Sequence, residues 1–100
     1  MIAELQCLPT PSGTPDDLHA HVEAAIVVIQ RSGLTYEVGP LGTSIEGPAD
    51  AVWTVLRQAH SACLAAGADR IVSVIKVYEG SDEGTPQATT MDRLTRKFRP

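Results

Sequence analysis

Residues 34–46, LTYEVGPLGTSIE, consist of two short extended segments, 34–38 and 43–46, on either side of the four-residue link GPLG. A short link rich in Gly and Pro between two such segments predicts an antiparallel hairpin. This hairpin decides the fold, because one strand and one helix are predicted before it and one helix and one strand after it.

The segment before the hairpin predicts a strand followed by a helix. Residues 2–8 alternate between apolar and polar side chains, which is the period of a strand with one buried face. Residues 14–17, TPDD, match a helix start, with a capping Thr, a Pro at the first position and two aspartates at the positive end of the helix dipole. Apolar residues then recur at helical spacing from Leu18 to Ile29, and Gly33 is placed to end the helix.

The segment after the hairpin mirrors this arrangement. Residues 47–50, GPAD, begin a second apolar-striped helix, Gly67 ends it, and the β-branched stretch 70–78 predicts the last strand. The order βαββαβ predicts an α+β, ferredoxin-like fold in which a four-stranded antiparallel sheet carries both helices on one face. We expect residues 1–78 to form this domain, and residues 79–100 to form a flexible loop and a short basic C-terminal helix.

The composition is typical of one small domain that acts in the cytoplasm. The chain has 100 residues, of which 43% are hydrophobic and 20% charged. It contains neither an apolar run long enough for a bilayer nor a signal-peptide pattern at its start, so we expect no membrane partner. Cys7 and Cys63 suit buried apolar positions, and a single bridge between them is left open.

Charge is distributed unevenly along the chain. The net charge is −4, and four of the eight basic residues lie in the last eight positions. The acidic body argues against nucleic acid as a partner, since phosphate binding relies on Lys and Arg. We expect the basic tail to dock on an acidic face, either of this chain or of a neighbour.

The sheet face turned away from the helices is the candidate binding surface. Alternation places three carboxylates there, Glu4, Glu37 and Glu46, together with Gln6 and Ser44, and this set suits a polar or cationic ligand. The plain alternative is a solvated face, which open antiparallel sheets commonly have. The face also carries enough apolar side chains to predict that another subunit covers part of it: Ile2, Leu8, Val72, Val74 and Tyr78.

No catalytic or metal-binding constellation is predicted. His19 and His21 are two residues apart on a helix and do not face each other, and His60 with Cys63 offers too few ligands, so we interpret the histidines as surface residues. No serine has a nucleophile-elbow context, and the glycines form no phosphate loop. RNA recognition is disfavoured by the lack of aromatic residues on the first and third strands. Hydrolysis of acyl phosphates needs an arginine with a nearby amide, and the chain has no asparagine.

Residues 36–47, YEVGPLGTSIEG, resemble the YExGPxGTxxEG stretch of the small YkoF-like thiamine-binding family. Residues 3–5, 32–34, 75–77 and 90–92 add to the resemblance. It implies a ferredoxin-like fold, assembly into dimers or tetramers, and binding of thiamine or its hydroxymethylpyrimidine part, with no enzymatic activity and no cofactor. The chain departs from the family in having Leu at position 41, where Met is common, and a longer, more acidic stretch before the last helix.

The resemblance and the polar sheet face together suggest which residues bind the ligand. A glutamate would balance the thiazolium charge or accept a hydrogen bond from the aminopyrimidine, while the glycines of the motif serve turn geometry and Trp53 packs on its helix. The second hypothesis is an oligomeric regulatory module that binds a partner protein or another small metabolite. The predicted ligand-binding set comprises eight residues: Gln6, Leu8, Tyr36, Glu37, Thr43, Ser44, Ile45 and Glu46.

Overall fold

The computed structural model describes all 100 residues and confirms the βαββαβ fold. The four strands form one antiparallel sheet in the order β2-β3-β1-β4, and a short C-terminal helix follows. None of the helices has the length and apolar character that a membrane crossing requires. The elements are β1 (Ile2–Thr10), α1 (Ala20–Arg31), β2 (Thr35–Val38), β3 (Thr43–Glu46), α2 (Ala49–Ala65), β4 (Arg70–Tyr78) and α3 (Met91–Thr95), with a 3-10 turn at Arg96–Phe98.

The alternation in β1 determines which side of the sheet carries the core. Ala3, Leu5 and Cys7 are buried, whereas the residues between them are half-buried or exposed. Ile45 lies beside Ala3 in the register and is fully buried with them. The helices complete the core with fully buried side chains from one face of each: Ile29 from α1, and Val52, Leu56, Ala59 and Cys63 from α2.

Helix α1 begins at Ala20, so the predicted start at residues 14–17 is wrong. Those residues close a turn of their own, in which the Asp17 amide donates to Thr14 Oγ1 at 3.1 Å. The backbone carbonyl of Ser12 accepts from the amides of His21 and Val22, at 3.0 and 3.4 Å, and so satisfies the first turn of the helix. Thr, Pro and Asp suit turns as well as helix starts, which explains the wrong prediction.

The buried polar and sulfur groups differ in part from the sequence prediction. His21 is buried, and its Nδ1 lies 2.7 Å from the Pro11 carbonyl, so it is not a surface histidine; His19 is exposed as predicted. Cys7 and Cys63 are buried and unbridged. Burial raises the pKa of the Cys63 thiol to about 12, which keeps it protonated and unreactive at neutral pH.

Residues 79–100 are tied back to the sheet by three polar contacts. The N-terminal ammonium of Met1 pairs with the Glu83 carboxylate, which lowers the pKa of Glu83. The Tyr78 hydroxyl lies 3.3 Å from Thr89 Oγ1. At the start of α3, the Met91 amide donates to Glu46 Oε2 at 2.8 Å. The tail is therefore held from its loop to the first turn of α3.

The three arginines of the tail bond within the tail. Arg99 donates to Asp92 at 2.6 Å and, as the largest cause, lowers the pKa of that carboxyl. Arg96 also approaches Asp92, at 3.6 Å, while Arg93 donates to the carbonyls of Pro86 and Ala88. Within this chain the expected docking of the basic tail on the acidic face is therefore wrong, because Asp92 and nearby carbonyls already satisfy these cations.

We expect Leu56→Ala to lower the free energy of unfolding by about 2–5 kcal/mol, since it leaves a cavity in the centre of the core. Leu64→Ala, on an exposed position of the same helix, should change it by less than about 1 kcal/mol. Urea unfolding followed by circular dichroism measures both. Equal effects of the two substitutions would contradict the position of the core.

Candidate functional site

A row of polar residues crosses the open face of the sheet. The register pairs Glu37 with Ser44, Ser44 with Glu4, and Glu4 with Lys76, so the row spans all four strands. Glu46 lies in the adjacent row, opposite Thr35. Glu37 and Glu46 therefore point to the side away from the helices, which is the placement that the alternation predicts.

The two glutamates differ in how the rest of the chain uses them. Glu46 is half-buried, and its carboxylate accepts the hydrogen bond from the Met91 amide. Glu37 is exposed, with no hydrogen bond or ion pair from its carboxylate to the chain. Glu46 is thus an anchor for α3, and Glu37 is the carboxylate that is free to meet a ligand.

Three of the eight predicted residues lie on the helix side of the sheet. Tyr36 pairs with Ile45, and Thr43 pairs with Leu5. Ile45 has no exposed surface, so a ligand cannot touch it without opening the core. The eight residues do not form one surface, because neighbours in a strand point to opposite faces.

A cleft opens where the sheet is incomplete. Strand β1 is nine residues long, but β3 pairs with it only as far as Leu5. From Gln6 onward, this edge of β1 has no neighbouring strand. Met1 and Gly47 exchange backbone hydrogen bonds, so alternate residues from Met1 point their backbone groups to this edge. The Cys7 amide and carbonyl and the Pro9 carbonyl are therefore available to another partner. The cleft, here called the α1 cleft, has a volume of about 190 Å³ and lies between α1, β1 and the hairpin loop. Its wall is formed by Leu5, Gln6, Cys7, Leu8, Val22, Ala25, Ile26, Ile29 and residues 39–43.

Gly42 brings the hairpin loop against β1. A Cβ at this position would lie 3.2 Å from the Leu5 carbonyl oxygen and 3.3 Å from Glu4 Cγ. The loop is closed by the Gly39 amide, which donates to the Gly42 carbonyl at 2.9 Å. Neither glycine has a positive φ, so at Gly42 the requirement is close approach and not the turn geometry that the sequence suggested.

Sequence reasoning missed the contribution of α1 to this cleft. Val22, Ala25 and Ile26 line it, whereas the sequence predicted them only as part of the apolar stripe of the helix. Of the predicted set, Gln6, Leu8 and Thr43 also line the cleft. No separate signal in the sequence marks these residues, because apolar residues that line a cleft follow the same helical spacing as residues that pack in the core.

The loop that walls the α1 cleft is also the centre of the motif at residues 36–47. A family model described as thiamine-binding protein matches residues 3–95 of the chain. This chain belongs to the thiamine-binding protein family. The match extends past β4 and through the whole of α3.

Relatives and a solved structure match most of this chain. The chain is 29% identical over 89 residues to a UPF0045 protein of Clostridium perfringens, covering 89% of this chain and 88% of that protein. It is 34% identical over 86 residues to a UPF0045 protein of Synechocystis, covering 86% and 68% of the two chains. The solved structure of a domain of unknown function, DUF77, from Bacillus cereus superimposes with a TM-score of 0.77 at 33% identity, covering 99% of this chain and 91% of that one.

We expect Glu46→Ala to release the first turn of α3, because the substitution removes the acceptor of the Met91 amide. A hydrogen bond to a charged group contributes about 1.5–3 kcal/mol, so exchange of that amide with solvent should become about ten- to a hundredfold faster. Amide hydrogen exchange measured by NMR tests this. Glu37→Ala, on the same face, is the matched control and should leave the rate unchanged; an unchanged rate in Glu46→Ala would show that the contact does not hold the tail.

Proposed function

We propose that this protein binds the hydroxymethylpyrimidine part of thiamine in the α1 cleft and catalyses no reaction. The observation that carries the proposal is the cleft itself, which combines a short free strand edge with an apolar wall beside the family motif. Its volume of about 190 Å³ lies below the roughly 300 Å³ at which sites for drug-sized ligands begin. A cleft of this size suits one ring better than the two linked rings of thiamine.

The chemistry of the cleft matches an aminopyrimidine. Val22 and Ile26, which are half-buried, supply apolar surface for the faces of a flat ring. The free edge of β1 offers the Cys7 amide and carbonyl and the Pro9 carbonyl, and an aminopyrimidine presents donors and acceptors along its own edge. The ring would then bind β1 as an added strand does, through main-chain hydrogen bonds. Thr43 lines the cleft, and its hydroxyl, which makes no hydrogen bond within the chain, adds a further donor and acceptor.

The open face supplies a counter-charge for the thiazolium ring. The wall of the cleft includes Gln6 and Leu8, which belong to the open face, so the gap reaches both sides of the sheet. Glu4 lies beside Gly42 at this gap, and Glu37 is in the same row. The exposed ion pair of Glu4 with Lys76, at 3.7 Å, is weak and can yield to a ligand cation.

The lining of the cleft favours binding over catalysis. Its one ionisable side chain is the Cys7 thiol. General acid–base chemistry needs a positioned proton donor or acceptor beside the reacting group. The family is named for binding, in agreement with this lining.

We expect calorimetry to show saturable binding of both hydroxymethylpyrimidine and thiamine. Val22→Phe, which fills the cleft, should weaken both ligands by about tenfold or more. Val27→Phe, on an exposed position of the same helix, should leave both affinities unchanged. Thermal unfolding of the two variants checks that both keep the fold. Ligand affinities unchanged by Val22→Phe would exclude this cleft as the binding site.

The positive charge of thiamine, which hydroxymethylpyrimidine lacks, allows a second test. Glu4→Gln should weaken thiamine about two- to fivefold, the range of an exposed charge pair, and leave the neutral hydroxymethylpyrimidine unaffected. Glu79→Gln, an exposed carboxylate beyond β4, serves as the control. Equal losses for both ligands would contradict the proposed position of the thiazolium ring.

We further propose that copies of the chain associate through the apolar part of the open face. Leu8 and Val72 are cross-strand neighbours on this face, and Val72 is 61% exposed. Val74 continues the patch along β4, Tyr78 lies on the same face beyond Lys76, and both are exposed. A contiguous apolar patch of this kind is commonly an interface.

We expect light scattering to report an oligomer that Val72→Asp dissociates, because the substitution buries an unpaired charge at the interface. Val27→Asp, which places the same charge on the outer surface of α1, should keep the oligomer intact. A monomer at all protein concentrations would contradict this part of the proposal.

A further inference from the structure

A second concave surface lies between α2 and β4, on the opposite side of the core from the α1 cleft. Its volume is about 310 Å³. Trp53, Arg57 and His60 follow one another along one side of α2, and Ser73 and Ile75 face them from β4. We call this surface the α2–β4 groove; its lining is Trp53, Leu56, Arg57, His60, Ser73 and Ile75.

We propose that the α2–β4 groove is a second binding site, for a small planar ring that carries a phosphate group. It is separate from the pyrimidine site proposed above, since the two cavities share no lining residue. Its volume lies at the lower end of the range for ligand sites, roughly 300–1,000 Å³.

Arg57 is the group that would hold the phosphate. Its guanidinium makes no ion pair and no hydrogen bond within the chain, although the chain carries 12 acidic residues. No carboxylate lines the groove. A planar guanidinium can grip two phosphate oxygens at once, which makes arginine well suited to this role.

His60 and Ser73 form a fixed polar pair beside Arg57. His60 Nδ1 lies 2.6 Å from Ser73 Oγ, and Ser73 Oγ donates to Cys7 Sγ at 3.6 Å. The His60 tautomer decides which atom of this contact is the donor, and either tautomer commits Nδ1 to Ser73. Nε2 makes no hydrogen bond within the chain, so it can donate to a phosphate oxygen or accept from a protonated one.

The polar pair occupies a position where the pattern of β4 favours an apolar residue. Ile71, Ile75 and Val77 share the helix-facing side of the strand with Ser73. A fourth apolar residue there would pack against α2 and leave His60 unpaired. The serine instead sets the orientation of the imidazole, as a residue that positions a binding group does.

Trp53 is the group that would bind the ring. The sequence predicted it as helix packing, but 49% of its surface is exposed. Beside it, Leu56 is buried and Ile75 is partly exposed, so the indole belongs to an apolar wall. Arg57 lies one helical turn further along α2, which brings the apolar wall and the cation together for a ligand with one apolar and one anionic end.

Trp53 is the single tryptophan of the chain and lines this groove, so its fluorescence reports on binding at this end of α2. The full-length protein is titrated with phenyl phosphate, and in parallel with inorganic phosphate and with phenol. We expect a saturable change in Trp53 emission with phenyl phosphate. Inorganic phosphate and phenol, which each represent one part of that probe, should bind at least about tenfold more weakly. Calorimetry with phenyl phosphate gives the same affinity independently of the fluorescence.

Two charge-matched variants make the test specific. Arg57→Gln should weaken phenyl phosphate by about tenfold or more. Arg31→Gln, which removes an exposed cation from α1, should leave the affinity unchanged. The proposal would be overturned if phenyl phosphate showed no saturation up to about 10 mM, or if both variants lost the same affinity for it. A Trp53 emission that shifts when the protein is diluted but does not respond to phenyl phosphate would also overturn the proposal, since another copy of the chain would then cover the groove.

Discussion

The unequal pairing of the two edges of β1 is the constraint on which the rest of the structure depends. Strand β4 pairs with β1 along all nine residues, whereas β3 pairs with it over residues 2–5 alone. One half of β1 is therefore a central strand, and the other half has one edge without a strand partner. Since unpaired backbone groups need water, a ligand or another segment, this mismatch creates the α1 cleft and gives it polar groups in an otherwise apolar wall.

The same mismatch coincides with a division of the open face into a polar and an apolar part. Near the start of β1, where all four strands pair, the open face carries the polar row of Glu37, Ser44, Glu4 and Lys76, and Glu46 anchors α3 beside it. Near its end, the open face becomes apolar at Leu8 and Val72. Arg96 and Arg99 of the tail pair with Asp92, so neither neutralises the polar row, where Glu37 remains unpaired and open to a ligand.

The two cavities meet at the pairing of β1 with β4. Cys7 lines the α1 cleft and is the register partner of Ser73, which lines the α2–β4 groove with His60. Hydrogen-bond contacts connect Cys7, Ser73 and His60 in that order. These polar contacts cross an otherwise apolar core and form a boundary that the two sites share. A shift of β1 or β4 would therefore move a wall of both cavities.

The sequence by itself determined the order of elements, the hairpin, the bounds of β3 and β4, and the glycines after both helices, because these depend on local periodicity and on conformations that Gly adopts readily. It also determined that Glu37 and Glu46 share the open face. The start of α1, the burial of His21 and the anchoring of α3 by Glu46 depended on the tertiary structure, since each rests on a partner distant along the chain or in a neighbouring loop. The cleft and the groove exist only in the tertiary structure, because a cavity arises where two packed elements differ in length or fail to cover each other, and no single segment of sequence records that difference.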